Sequence, residues 1–225
     1  MLSGSAGEAP TDYPTLLDLL GSRPQPALVF YGRDDSRVEL SGRVLANWAV
    51  KLIGLFGEEY ELGPEDEVLV DASPHWKAAA VVLAVGAMGA RAALESGGRP
   101  EAVITDRPAA WVGSAELGEA ELAALSPGML DSSYEEAVGE PIPAWVLDIS
   151  AEARQQPDQL LAPLPQTPLP SPASTSAGPL VLTSWDAESP ALMTGTWAGG
   201  GLVVLFEGEP AGERWERMRR NEGLA

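Results

Sequence analysis

From residue 15 to residue 106 the apolar positions switch repeatedly between two spacings. TLLDLL at 15–20 is a short helical stretch that Gly21 would end. PALVFYG at 26–32 is an apolar run of strand length, and the RDDSR that follows is a turn signal leading into RVEL. Ser41 then stands where a helix N-cap belongs, its hydroxyl available to a free backbone N–H. Leu45, Trp48, Leu52 and Leu55 or Phe56 recur at helical spacing through about Tyr60. EVLVD at 67–71 reads as a buried strand, HWKAAAVVLAVGAMG at 75–89 as an apolar helix, and AVITD at 102–106 as another buried strand.

The pattern weakens after that. AELGEAELAAL at 115–125 is helical at first, with a strand in LAAL, and DISAEARQQPDQLL at 148–161 reads as a helix with an acidic cap. LVLTS at 180–184 restores a strand. A helix over about 187–197, the strand GLVVLFEG and a final amphipathic helix in AGERWERMRR follow. Alternation of strand and helix predicts an α/β fold, a mostly parallel sheet with helices on both faces. The expected organisation is a disordered N-terminus over 1–14, an α/β domain over 15–156, a Pro/Ser-rich connector over 157–179 and a C-terminal α/β segment over 180–225 packing on the same domain. Seven of the 20 prolines fall within the connector, where they can neither continue a helix nor donate to a ladder.

Charge removes several functions. With 14 Lys and Arg against 33 Asp and Glu the net charge is −19, so nucleic acid and anionic membrane are excluded as partners. Cysteine is absent, which excludes disulfides, thiolate nucleophiles and Cys-based metal sites, and one histidine cannot build a His-rich metal site. The N-terminus lacks a basic region followed by an apolar core, and the apolar run at 78–90 is too short to span a bilayer, so a cytoplasmic protein is expected.

Five residues are candidates for a pocket. Asp71 closes a strand and His75 opens the apolar helix beside Trp76, at strand ends where ligands of open α/β sheets sit. With Ser73 they suggest a hydrolase, although Asp-Ala-Ser-Pro-His is not a nucleophile elbow, and a capping and packing cluster is the competing reading. Asn47 and Lys51 lie one helical turn apart and share a face, where they could hold an anion or a carboxylate or simply meet solvent. The acidic stretch GEEYELGPEDE lacks the alternation of a calcium loop, and the glycines of SGGRP and AGGGL are turns. No residue stands out as catalytic, cofactor-binding or metal-ligating.

Three stretches in order, PALVFYG with RVELSGRVLANWAVKL, then ELGPEDEVLVDASPHWKAAAVVLAVGAMGARAAL, then PALMTGTWAGGGLVVLFEG, resemble the N-terminal region of the adenylate-forming superfamily, the acyl-CoA synthetases and AMP-dependent ligases. Glu39-Leu40, Pro64-Glu65-Asp66 and Met88-Gly89-Ala90 match its Glu-Leu pair, its turn (with the glycine lost) and its small-residue corner. The ELS, LANW and PHW elements look like a small uncharacterised group of truncated relatives of these enzymes. The resemblance implies a Ser/Thr/Gly-rich phosphate loop closing on Pro-Lys, near SPASTSAGP at 171–179. That stretch has neither lysine nor arginine, and its composition is that of a linker. The family's later adenylate motifs and its lid domain with the catalytic lysine would lie beyond Ala225. The expectation is therefore a non-catalytic, truncated pseudoenzyme that binds a small molecule or a protein. No cofactor is expected, with ATP, AMP or CoA relevant only if nucleotide binding survives. The alternatives are an acyl-activating fragment completed in trans and a homo-oligomeric scaffold.

Overall fold

The computed structural model describes residues 9–95, 97–126, 128, 130–171 and 178–224. Helix α1 (Tyr13–Ser22) starts at Asp12, whose carboxylate accepts the Thr15 N–H at 2.9 Å. It runs through the expected stop at Gly21, because the Arg23 N–H still reaches Leu20 O. Strands β1 (Pro26–Tyr31) and β2 (Arg37–Ser41) form a hairpin whose turn puts Asp35 at φ 63°. Helix α2 (Gly42–Glu59) opens on the Ser41 hydroxyl as the sequence predicts, and β3 (Glu67–Asp71), α3 (Trp76–Ala87), β4 (Arg91–Ala93) and β5 (Ala102–Thr105) follow.

Two expected helices are corrected. After α4 (Pro108–Trp111), residues 115–119 are turns, with Gly118 at φ 60°, and only β6 (Glu121–Ala124) forms. After α5 (Tyr134–Val138) and β7 (Leu147–Asp148), the expected helix over 148–161 shrinks to α6 (Ile149–Glu152) and a 3-10 turn at Ala153–Gln155. Asp148 does cap it, but Gln156 precedes Pro157 and is extended, which ends the helix. The chain closes with β8 (Leu180–Leu182), α7 (Ser189–Ala198), β9 (Val203–Phe206) and α8 (Gly212–Asn221).

The strands form two sheets. The first has the order β2-β1-β9-β8 and is parallel apart from the β1–β2 hairpin; the second, β4-β3-β5-β6-β7, is parallel throughout. Period-two alternation splits their side chains. Leu28, Phe30, Val203 and Leu205 of the first sheet and Val68, Val70, Ala102 and Ile104 of the second join α1, α2, α3 and α7 in one large core. Val29, Tyr31, Val204 and Phe206 turn outward onto Met218 of α8, while Leu69, Val103 and Leu122 turn outward onto Trp111 and Tyr134. This is an α/β fold with parallel sheets and helices on both faces.

Helix α3 is buried over every residue, as a helix apolar all round must be. Gly86 lets α1 approach it, since a Cβ there would fall on the Tyr13 ring. Burial in that contact pushes the Tyr13 hydroxyl up to about 12. The 163–171 segment meets the entry to α1, where the Leu169 N–H donates to Thr11 O and the Tyr13 N–H to Thr167 O, and Leu164 and Leu169 pack on the core. Positions 172–177 of SPASTSAGP lie outside the described residues. Among the described residues no helix is long and apolar enough to cross a membrane.

Candidate functional site

The carboxyl ends of both sheets border one cleft of about 320 Å³. The turn from β3 to α3 supplies Ala72, Ser73, Pro74 and His75, while the segments after β5 and β6 supply Asp106, Arg107, Leu125 and Ser126. Phe30 and Glu207 enter from the first sheet. Parallel strands aim all their carboxyl ends the same way, so a cleft at this edge is a direct product of the topology.

His75 lines the cleft and caps α3, its Nδ1 accepting the Lys77 N–H at 3.1 Å and its ring meeting Phe30 edge-on at 4.6 Å. Asp71 does not pair with it through that nitrogen. Its carboxylate accepts from Arg107 Nη2 at 2.8 Å, from Trp111 Nε1 at 2.7 Å and from Thr105 Oγ1 at 3.2 Å, toward the outer face of the sheet. Arg107 also pairs with Asp106, whose other oxygen accepts the Ser73 N–H. Trp76 is fully buried, edge-on to Trp48 at 5.0 Å, and belongs to the core.

Asn47 and Lys51 do hold a carboxylate, but it is the chain's own. Lys51 Nζ lies 2.6 Å from Asp158 and donates to Gln156 O at 2.5 Å, and Asn47 bonds the same carboxylate. The hydrogen bond from Lys51 holds the Asp158 carboxyl below its usual value. The five sequence candidates thus fall into three places: His75 in the cleft, Asp71 and Trp76 in packing on either side, Asn47 and Lys51 along α2.

The cleft reaches groups that the sequence reading passed over. Ala124 pairs with Asp148 in register, and two residues beyond each stand Ser126 and Ser150, whose hydroxyls are 2.6 Å apart. Lys77 Nζ donates to Ser150 Oγ at 2.7 Å and to Gly128 O at 3.2 Å, and it lies 5.5 Å and 5.9 Å from the Trp76 and Trp48 ring centroids. Loss of hydration lowers the Lys77 amine to about 8, with Asp131 and Asp148 opposing the shift and Arg154 adding to it. A signal for Lys77 existed: a lysine inside a helix that is apolar on all sides has no solvent face to occupy. Ser126 and Ser150 carried none, because only strand register brings them together.

No family model matches the chain. A curated protein of Mycobacterium tuberculosis is 36% identical over 143 residues, which is 60% of this chain and 56% of that one. The Brucella canis acyl-CoA synthetase superposes with a TM-score of 0.71 at 15% identity, over 98% of this chain and 48% of that one. The N-terminal subdomain of NpsA from Klebsiella oxytoca, solved with 3-hydroxybenzoyl-AMSN, superposes at 0.53 and 14% identity, over 97% of this chain and 59% of that one. The chain thus has the fold of the N-terminal part of the adenylate-forming enzymes and spans about half the length of the proteins it matches.

Proposed function

We propose that these 225 residues act as a cytoplasmic binding module built on an acyl-CoA-synthetase-like scaffold, without forming adenylates themselves. The cleft beside His75 takes a small organic ligand. One observation carries the reading: both lysines of the chain are committed internally, Lys51 to Asp158 and Lys77 to Ser150. Neither is left to neutralise a triphosphate, and a net charge of −19 opposes the approach of any polyanion.

A thermal-shift series with Mg-ATP, AMP, CoA and a non-hydrolysable acyl-adenylate tests it, since a ligand of the folded state raises the midpoint by mass action. No saturable shift is expected from these four. Ligand-observed NMR with neutral fragments is expected to find binders that Ser73→Trp, filling the cleft, displaces. A saturable Mg-ATP shift would instead support an acyl-activating fragment completed in trans. That second reading is favoured by the Klebsiella N-terminal subdomain, solved with an acyl-adenylate analogue. Its signature is ATP–pyrophosphate exchange that appears only when a partner polypeptide is added.

A further inference from the structure

We infer that the free edge of β4 carries a second binding site, for neutral lactams, ring amides whose N–H and C=O lie on one side. It shares no lining residue with the cleft beside His75, so it stands apart from the reading of that cleft.

The cavity there is about 480 Å³, within the roughly 300–1,000 Å³ of small-molecule sites. β4 forms one wall, and Val82 of α3, Ala191 of α7, Tyr13 of α1 and Thr167 form the others. β3 is the only strand that β4 pairs with. The Arg91 N–H donates toward β3, to Asp66 O at 2.9 Å, and the register turns Ala93 the same way. The residue between them therefore presents both its N–H and its C=O outward. That residue is Ala92, and it lines the cavity. Among the described residues neither group has a hydrogen-bond partner. One outward donor and one outward acceptor match the adjacent acceptor and donor of a lactam. A peptide strand would need a longer ladder than this three-residue strand offers.

Tyr13 supplies an independent polar feature. It is 5% exposed and lines the cavity, and its hydroxyl has no hydrogen-bond partner among the described residues. Unlike the sealed Tyr60 hydroxyl, it keeps surface for a ligand to reach. Burial pushes it up to about 12, so it remains a donor across the neutral range. A buried hydroxyl without a partner carries a cost that a ligand oxygen removes. In the complex the lactam N–H donates to Ala92 O, and the lactam oxygen, with two lone pairs, accepts from the Ala92 N–H and from Tyr13. The remaining lining selects a neutral, apolar body. Val82, Leu94 and Pro168 are apolar, and Arg91, the cation at the rim, is already paired with Glu67, so an anion finds no free partner.

The test titrates the full isotope-labelled chain with 2-quinolone and follows backbone amide shifts. Saturable shifts are expected along β4, with the Ala92 N–H moving downfield as it gains an acceptor. Coumarin has the same shape with a ring oxygen in place of the N–H, and sets that oxygen against the Ala92 carbonyl. It is expected to bind at least about 10-fold more weakly. Tyr13→Phe keeps the ring against Gly86 and should weaken 2-quinolone about 5-fold. Ala191→Trp, filling the cavity, is expected to abolish binding. Circular dichroism verifies its folding, and coumarin and Tyr13→Phe carry the test should it unfold. Ser73→Trp, in the other cleft, should leave the titration unchanged. No saturable shift, shifts centred away from β4, coumarin binding as tightly as 2-quinolone, or indifference to Tyr13→Phe overturns the site. Loss of binding in Ser73→Trp also overturns it and assigns the lactam to the cleft beside His75.

Discussion

At the scale of the residue, Lys77 is the position where chain chemistry and packing conflict most. A lysine two residues into a fully buried helix must lose its water, and two indole rings, a hydroxyl and a carbonyl replace that water only in part. The consequence for stability has a definite sign. Below about pH 8 both folded and unfolded chains hold the proton; between about 8 and 10.5 the folded chain has lost it and the unfolded chain keeps it. Folding therefore gains stability as pH rises through that window, by on the order of 3 kcal/mol at its end. Lys77→Met lacks the group, so the difference between wild-type and variant unfolding free energies should change across that window and be flat below it. Asp158 has the same sign in an acid window, because Lys51 lowers its carboxyl from 3.8. Its contribution is present at pH 5 and above and is lost as acid protonates it, so Asp158→Asn and wild type should melt alike at the acid end of a pH series.

At the scale of the element, the close approach of α1 to α3 makes the clearest demand on sequence. Helix propensity alone favours alanine over glycine at position 86 by about 1 kcal/mol. The Tyr13 ring occupies the space of that methyl group, so Gly86→Ala should destabilise by about 1–3 kcal/mol in chemical denaturation. Tyr13→Ala alone leaves a cavity, while the double variant should lose less than the sum of the two, since each change relieves the other. The same logic explains the elements that were misread. The acidic 148–161 stretch has a cap and helix formers, yet Pro157 limits it to a single turn. Within 115–119, Gly118 takes the left-handed region and the chain turns instead of coiling.

At the scale of the whole molecule, a late segment completes an early sheet. Strand β9, from residues 203–206, lies between β1 and β8 and pairs with β1 from Leu28 to Tyr31. Residues 1–171 alone would leave that edge of β1 open, with Leu28 and Phe30 stripped of Val203 and Leu205. That fragment should be insoluble. A chain cut at a protease site introduced within 172–177 should instead keep both pieces together through gel filtration, because β9 and α7 stay packed in the common core.

What the sequence by itself determined is the set of buried strands, the long helices with the Ser41 cap, and the likeness to adenylate-forming enzymes. These follow from the period of apolar residues and from local hydrogen-bonding groups, both properties of neighbours along the chain. Its continuous apolar runs, EVLVD and AVITD, also marked strands buried on both faces. They could not divide them between two sheets, because pairing partners such as Leu28 and Val203 are remote in sequence. Nor could they foresee that Lys51 would be taken by Asp158 or that Asp71 would turn to Arg107 and Trp111. His75 was legible as a cleft residue because a strand end followed by a helix start identifies that edge. Lys77 was legible as a buried amine, but its meeting with Ser126 and Ser150 was not, since they come together only after β6 and β7 lie in register and α3 is packed beside them. Only the tertiary structure could put a buried amine, two hydroxyls and a cleft in line, because non-local register and burial are decided by the whole chain at once.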